Sequence, residues 1–254
     1  MVEDDLEIYK VDAIYQDPMR FLKLMDIFPN NNTKETFTYD KLLEKIFGPK
    51  DQNILIVGNG PSAMENQIGE AIDEKMDKVI RINNYQTNGY EKFVGSKTDI
   101  WANCVGEKTI PRKVSKDVDI LTFIGRISFS KSYAYREVYS KIKNYMEIKR
   151  IYHTYEIQSK FERYYKFRNK LTTGLMSIIL LSAYYSKPIY CIGFDFYSYS
   201  KNYYFNNNLP LSGKHNLNFE KKMYKYLLRK GVIKILDKNE ISRINASKKL
   251  VKIL

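Results

Sequence analysis

The 254-residue sequence predicts an α/β domain, a mostly parallel central sheet flanked by helices. Three observations predict it. From Asn53 onward short apolar runs recur, each followed by a loop or a helical stretch, and strand–helix alternation of this kind builds a parallel sheet covered on both faces. Polar motifs sit at the carboxyl ends of those runs, where such sheets bind ligands. The hydrophobic fraction, 44%, is that of a chain able to bury one ordinary core.

The elements follow in order. Tyr39–Phe47 is amphipathic and closed by Gly48-Pro49, which reads as a helix with a stop. Ile54–Val57, Lys78–Ile82, Asp99–Ala102, Ile120–Ile124, Arg150–His153, Pro188–Gly193 and Val232–Leu236 are the expected strands. Thr173–Tyr185 is apolar nearly all round and reads as a buried helix. Phe219–Lys230 is amphipathic and closed by Gly231. Residues 1–50 read as a polar N-terminal helical extension, and 51–254 as the main domain with a basic C-terminal tail.

Charge narrows the partners without choosing one. Lys and Arg number 42 against 29 Asp and Glu, a net +13, so nucleotides, acidic glycans and membrane surfaces are all favoured anionic partners. Nucleic acid is not expected, because the basic residues are scattered rather than grouped with stacking aromatics. No run reaches the ~20 apolar residues of a membrane helix, and the acidic start is no signal peptide. The chain is therefore expected to be cytoplasmic or bound to a membrane surface. Cys104 and Cys191 are expected to be buried free thiols.

Five features carry chemistry. Val57-Gly58-Asn59-Gly60-Pro61-Ser62-Ala63 follows a strand, and Gly58 and Gly60 permit a tight turn with close backbone approach to a phosphate or nucleotide. The same run fits a dinucleotide fingerprint, which wants an acidic residue about 20 positions on. The corresponding place reads Arg81-Ile82-Asn83-Asn84, which argues against a dehydrogenase. Asn59, Asn83 and Asn103 stand at strand ends, each offering a donor and an acceptor to a base or ribose. Lys170-Leu171-Thr172-Thr173-Gly174 opens the buried helix; a Thr173 cap there would leave amides for an anion, and Gly174 suggests a close neighbour. Asp195 ends a strand, with Tyr197 and Tyr203 following. The carboxylate suits ribose hydroxyls, and the phenols suit a departing phosphate. Lastly, His153 and His215 are the only two histidines, the side chain type that ionises near neutral pH. His153 reads as structural. His215 lies in a glycine-bearing loop, with Glu220 in the first turn of the next helix, and is the candidate base. Asp117-Val118-Asp119 has the D-x-D form of a metal-holding triplet, but it precedes its strand, so no metal site is expected.

Together these segments resemble the sialyltransferases. Residues 79–98, from Val79-Ile80-Arg81-Ile82-Asn83 to Gly95-Ser96-Lys97-Thr98, are similar to the long sialyl motif of the animal and plant family. Thr172-Thr173-Gly174-Leu175 through Gly193-Phe194 is similar to the short motif, and His215 with Glu220 to the H-x-x-x-x-E motif. Asp195-Phe196-Tyr197 with Tyr203 is more similar to the bacterial enzymes typified by Campylobacter. The resemblance implies a Rossmann-like sialyltransferase variant of the GT-A-like fold, with residues 51–254 as the catalytic domain. It implies an inverting, metal-independent transfer of sialic acid from CMP-sialic acid to a hydroxyl of a glycan acceptor, membrane-linked or free, with no cofactor.

The resemblance also implies roles. Asn59, Asn83 and Asn103, with Gly58 and Gly60, would contact CMP. Thr173 and Gly174 would hold the nucleotide or donor carboxylate, and Asp195 the ribose. Tyr197 and Tyr203 would stabilise the leaving phosphate, and His215 would be the base. Lys170 stands where the bacterial enzymes carry another basic residue, so acceptor preference does not transfer. The animal enzymes join their long and short motifs by a disulfide; the cysteines here are displaced, and no such bond is expected. Two other readings remain open: a transferase for another CMP-linked sugar acid such as Kdo, and an inactive nucleotide-binding module.

Overall fold

The computed structural model describes residues 12–24, 27–29, 38–104, 109, 110, 115, 117–123, 151–154, 171–196, 203–206 and 215–251. Within them, eight strands form one sheet: β1 (Ile27–Pro29), β2 (Ile54–Val57), β3 (Lys78–Ile82), β4 (Ile100–Asn103), β5 (Asp119–Phe123), β6 (Ile151–Thr154), β7 (Ile189–Ile192) and β8 (Ile233–Ile235). Their order is β1-β6-β5-β4-β3-β2-β7-β8. Every neighbouring pair is parallel except β1, which runs antiparallel to β6 at one edge. The expected α/β class with a mostly parallel sheet holds.

Alternation along the strands builds two cores. In β2, Ile54 and Ile56 face one core while Leu55 and Val57 face the other; in β7, Ile189 and Cys191 oppose Tyr190 and Ile192. Successive side chains of a strand point to opposite faces, so an uninterrupted apolar run requires cover on both. One cover is built from α1 (Asp12–Gln16), α2 (Pro18–Leu24), α3 (Tyr39–Phe47), α6 (Thr173–Tyr184) and α7 (Leu217–Arg229). The other is built from α4 (Gly69–Lys75), α5 (Glu91–Val94) and α8 (Lys238–Val251). Helix α6 is the centrepiece of the first: every residue but Ser182 is buried, and it contacts α2 together with β2, β4 and β7. That accounts for its lack of a polar face.

Described residues among the first fifty join this core, with Ile14, Phe21 and Leu22 fully buried. Lys238–Val251 of the basic C-terminal stretch folds as α8, whose Ile241 and Ile244 pack with Leu236 and Ile72. Both cysteines are free, but Cys104 is half-exposed where two buried thiols were expected; only Cys191 is buried. Cys104 follows the last residue of β4 and so lies beyond the covered sheet. Among the described residues no helix is long and apolar enough to cross a membrane.

Candidate functional site

The strand order reverses between β2 and β7. Chain order runs outward from β2 through β3, β4, β5 and β6 on one side, while β7 and β8 lie on the other. A crevice opens at the carboxyl ends where such a reversal occurs, and it is the usual ligand site of open parallel sheets. The two loops that meet there are Gly58–Ser62 after β2 and Gly193–Phe196 after β7.

These loops pack backbone to backbone. Gly58 N–H donates to Ile192 O, and Gly60 N–H to Gly193 O, both at 2.9 Å. A Cβ on Gly58 would lie 2.3 Å from Gly193 O, and Gly193 itself sits at φ +71°. A Cβ on Gly60 would lie 2.1 Å from Asp195 Oδ2. The neighbour that excludes a side chain at both glycines is the β7 loop. The Asp195 carboxylate accepts from Ser62 N–H at 2.9 Å, and burial pushes its pKa up.

The asparagines mostly latch loops together. Asn59 Nδ2 donates to Ile82 O at 2.9 Å and Asn84 O at 3.0 Å, tying β2 to β3. Its Oδ1 is buried and accepts nothing among the described residues, leaving one uncommitted acceptor at this edge. Asn83, at φ 50°, accepts through Oδ1 from Cys104 N–H and through its carbonyl from Trp101 Nε1–H. Asn tolerates that left-handed backbone better than most residues. Asn103 is fully buried, and its Oδ1 accepts from Thr109 Oγ1 at 3.2 Å. Asn83 and Asn103 thus organise the β3 and β4 loops through their side-chain oxygens.

Arg81 has a similar part. Its fully buried guanidinium donates to the carbonyls of Val94, Gly95 and Lys97 and to Thr98 Oγ1. It is thereby held away from the 2′-phosphate role a dinucleotide site would need. Desolvation lowers its pKa.

At the start of α6 the cap is Thr172, not Thr173: its Oγ1 accepts from Leu175 N–H at 3.2 Å. Thr173 is the first helical residue and is buried. A Cβ on Gly174 would lie 2.9 Å from the Phe194 ring, so the close neighbour Gly174 needs is that ring, which stacks on Tyr224 at 5.5 Å. Amides of the first helical turn have no intrahelical acceptor, and those of Thr173 and Gly174 have none among the described residues.

Glu220 arrives at the same point from α7. Only 1% of it is exposed, and its Oε1 accepts from Thr172 N–H at 2.8 Å while Oε2 accepts from Thr172 Oγ1 at 2.6 Å. Burial raises its pKa to about 7 against the opposing effect of those two donors. His215 Nδ1 lies 3.9 Å from Glu220 Oε1, with a quarter of its side chain exposed (26%). A continuous chain of contacts therefore joins His215, Glu220, Thr172, Gly174, Phe194, Asp195 and Gly60. Tyr203 is half-buried with its ring 5.7 Å from Phe205. Tyr197 and Lys170 lie outside the described residues. Sequence reasoning missed Tyr204, whose N–H donates to Asn59 O at 3.0 Å and whose hydroxyl donates to Gln86 O; among 22 tyrosines nothing local marked it. Asp119 opens β5 at the amino edge of the sheet, opposite this crevice, and Asp117 lies just before it.

The family model for glycosyltransferase family 29 (sialyltransferase) matches residues 50–124, a span that holds the Gly58–Ser62 loop and the whole 79–98 segment. No curated protein matches. A crystal structure of a mammalian sialyltransferase superposes with TM-score 0.58 at 19% identity, covering 93% of this chain and 86% of that one. A mammalian sialyltransferase in complex with Gal-beta-1-3GalNAc-ortho-nitrophenol gives TM-score 0.53 at 19% identity, over 87% and 86%. The chain therefore has the fold of the sialyltransferases, and across its first four parallel strands it is similar to them in sequence as well.

Proposed function

We propose that the protein is a sialyltransferase that moves sialic acid from CMP-sialic acid to a hydroxyl of a glycan acceptor, with inversion and without a metal ion. The observation that carries the reading is the meeting of His215, Glu220 and Thr172 at the open end of α6. The matched family segment supports it. The acceptor hydroxyl attacks the anomeric carbon from the face opposite the phosphate. The new C–O bond forms as the bond to the phosphate oxygen breaks, and CMP leaves. His215 Nδ1 is turned toward Glu220, so Nε2 takes the acceptor proton. Amides at the start of α6, at Thr173 and Gly174, suit the phosphate or donor carboxylate. Fixed neutral donors of this kind are enough to stabilise a monophosphate leaving group. The Asp195 carboxylate, beside Gly60 and Ser62, suits the ribose hydroxyls. Asn59 Oδ1 offers one acceptor to the nucleotide. Tyr203, and Tyr197 by resemblance, would donate to the leaving phosphate.

Two partners are part of the reading: a CMP-sugar donor and a glycan acceptor that is free or membrane-linked. Lys222, Lys225 and Arg229 are exposed along one face of α7 and favour an anionic surface over a neutral one.

The test is CMP release from CMP-Neu5Ac and from CMP-Kdo with a panel of galactosides, each run with and without chelator. Turnover of CMP-Neu5Ac that survives chelator is expected. Loss of rate restored by Mn²⁺ would return Asp117 and Asp119 to consideration. His215→Ala is expected to lower kcat by about 10²–10⁴-fold while CMP still raises the melting temperature. Unchanged turnover in that variant removes His215 from the role.

A further inference from the structure

We infer that Thr172 and Glu220 are a positioning pair, fastening the loop that carries His215 to the amino end of α6 so that base and donor-facing amides are held as one body. The inference rests on the transferase reading for its catalytic consequence, but not for the coupling itself. An ordinary N-cap needs only the Thr172 hydroxyl accepting from Leu175 N–H. An ordinary first-turn glutamate serves the amides of its own helix. Neither accounts for what is present. Glu220 belongs to α7, yet both of its oxygens accept from Thr172 of α6, 48 residues away.

The carboxylate is withdrawn from water at 1% exposure, so these two donors replace its hydration, and breaking them leaves a buried acceptor unsatisfied. Thr172 Oγ1 acts twice, accepting from Leu175 and donating to Glu220. The loop is pinned beside the histidine too, since the Asn216 side chain accepts from Phe219 N–H at 3.0 Å and caps α7. His215 is the ionisable side chain within ion-pair reach of Glu220 among the described residues. Its ring therefore meets the pair through Nδ1.

The experiment uses the full chain and three variants: Glu220→Gln, Thr172→Val and Thr172→Ser. Gln keeps an oxygen for Thr172 N–H but cannot ionise; Ser keeps the hydroxyl and Val removes it. With only two histidines in the sequence, the ring resonances of His215 can be followed against pH by NMR. In the wild type they should register the ionisation of Glu220 near pH 7. That inflection should vanish in Glu220→Gln, move in Thr172→Val and return in Thr172→Ser. In turnover, Glu220→Gln and Thr172→Val should lose on the order of 10²-fold in kcat with KM for the donor little changed, and Ser should restore it. Identical His215 titration curves in all four proteins overturn the inference, whatever the activity. So does a loss confined to melting temperature with kcat intact. A wild type that turns over no CMP-sugar sinks the transferase reading alone, because the titration still decides the pair.

Discussion

Glu220 carries an ionisation with a sign that can be worked out. An ordinary glutamate ionises near 4.5, and burial raises this one to about 7, so the folded state binds its proton more tightly than the unfolded chain does. The stability tied to that proton is fully present below about pH 4.5 and is lost as pH rises through about 7. The size is on the order of 3 kcal/mol at most, from the pKa difference. Wild type and Glu220→Gln should therefore converge in unfolding free energy at pH 5. At pH 8 the variant should be the more stable of the two. Denaturant unfolding at the two pH values checks this, and a variant that gains nothing at pH 8 refutes it. At the residue scale the sequence was legible where chemistry is rare. With two histidines, the H-x-x-x-x-E spacing singled out His215 and Glu220. The asparagines were harder, because a side-chain amide bonds a neighbouring loop group as readily as a ligand: Asn83 Oδ1 accepts from Cys104 N–H, and Asn103 Oδ1 accepts from Thr109 Oγ1. The cap was misplaced by one residue because Thr172 and Thr173 are chemically identical, and only the backbone of each decides which one caps.

At the scale of elements, the β2 and β7 loops are joined at a contact too close for any side chain. Gly58→Ala would place a Cβ 2.3 Å from a backbone oxygen of Gly193. Backbone on both sides of the contact cannot rotate out of the way, so the strands must separate. The expected cost is about 1–3 kcal/mol, with weaker CMP binding because Asp195 rides on the displaced loop. Gly174→Ala makes a useful contrast: its obstacle is the edge of the Phe194 ring at 2.9 Å, which can tilt, and alanine favours a helix by about 1 kcal/mol over glycine. Gly58→Ala should therefore lower the melting temperature clearly more than Gly174→Ala, and the reverse order would show that the loop contact is softer than its geometry. Apolar runs such as Ile54–Val57 announced their strands to the residue. Others shifted by one at an end, as with Ile100–Asn103 where Asp99–Ala102 was expected, because the backbone ladder with β5 runs on to Asn103, opposite Thr122. β1, α1 and α2 were not legible: a three-residue strand paired through its backbone leaves no apolar period, and α1 and α2 are too short to show one.

Across the whole molecule, topology and charge act in different places. The reversal of strand order gathers loops far apart in sequence at one crevice, which is why motifs at 58–62, 172–174, 193–195 and 215–220 were readable as one site before any distance was known. Charge acts outside that crevice. The net +13 is not matched by acids on α7, whose Glu220 is turned inward, while Lys222, Lys225 and Arg229 share its solvent face. Residues three, four and seven apart on a helix lie on one side, so these cations form a single stripe running away from the His215 end. A stripe of one sign should draw the protein to anionic bilayers, and at long range the attraction is screened within about 8 Å at physiological salt. Vesicles rich in phosphatidylserine should co-sediment the protein at low salt and release it as salt rises, while phosphatidylcholine vesicles leave it in solution. Charge reversal at Lys222, Lys225 and Arg229 should weaken that binding without slowing transfer to a small water-soluble acceptor. If the reversed protein still binds the anionic vesicles as tightly, the attraction belongs to the scattered lysines as a whole and α7 has no special part in it.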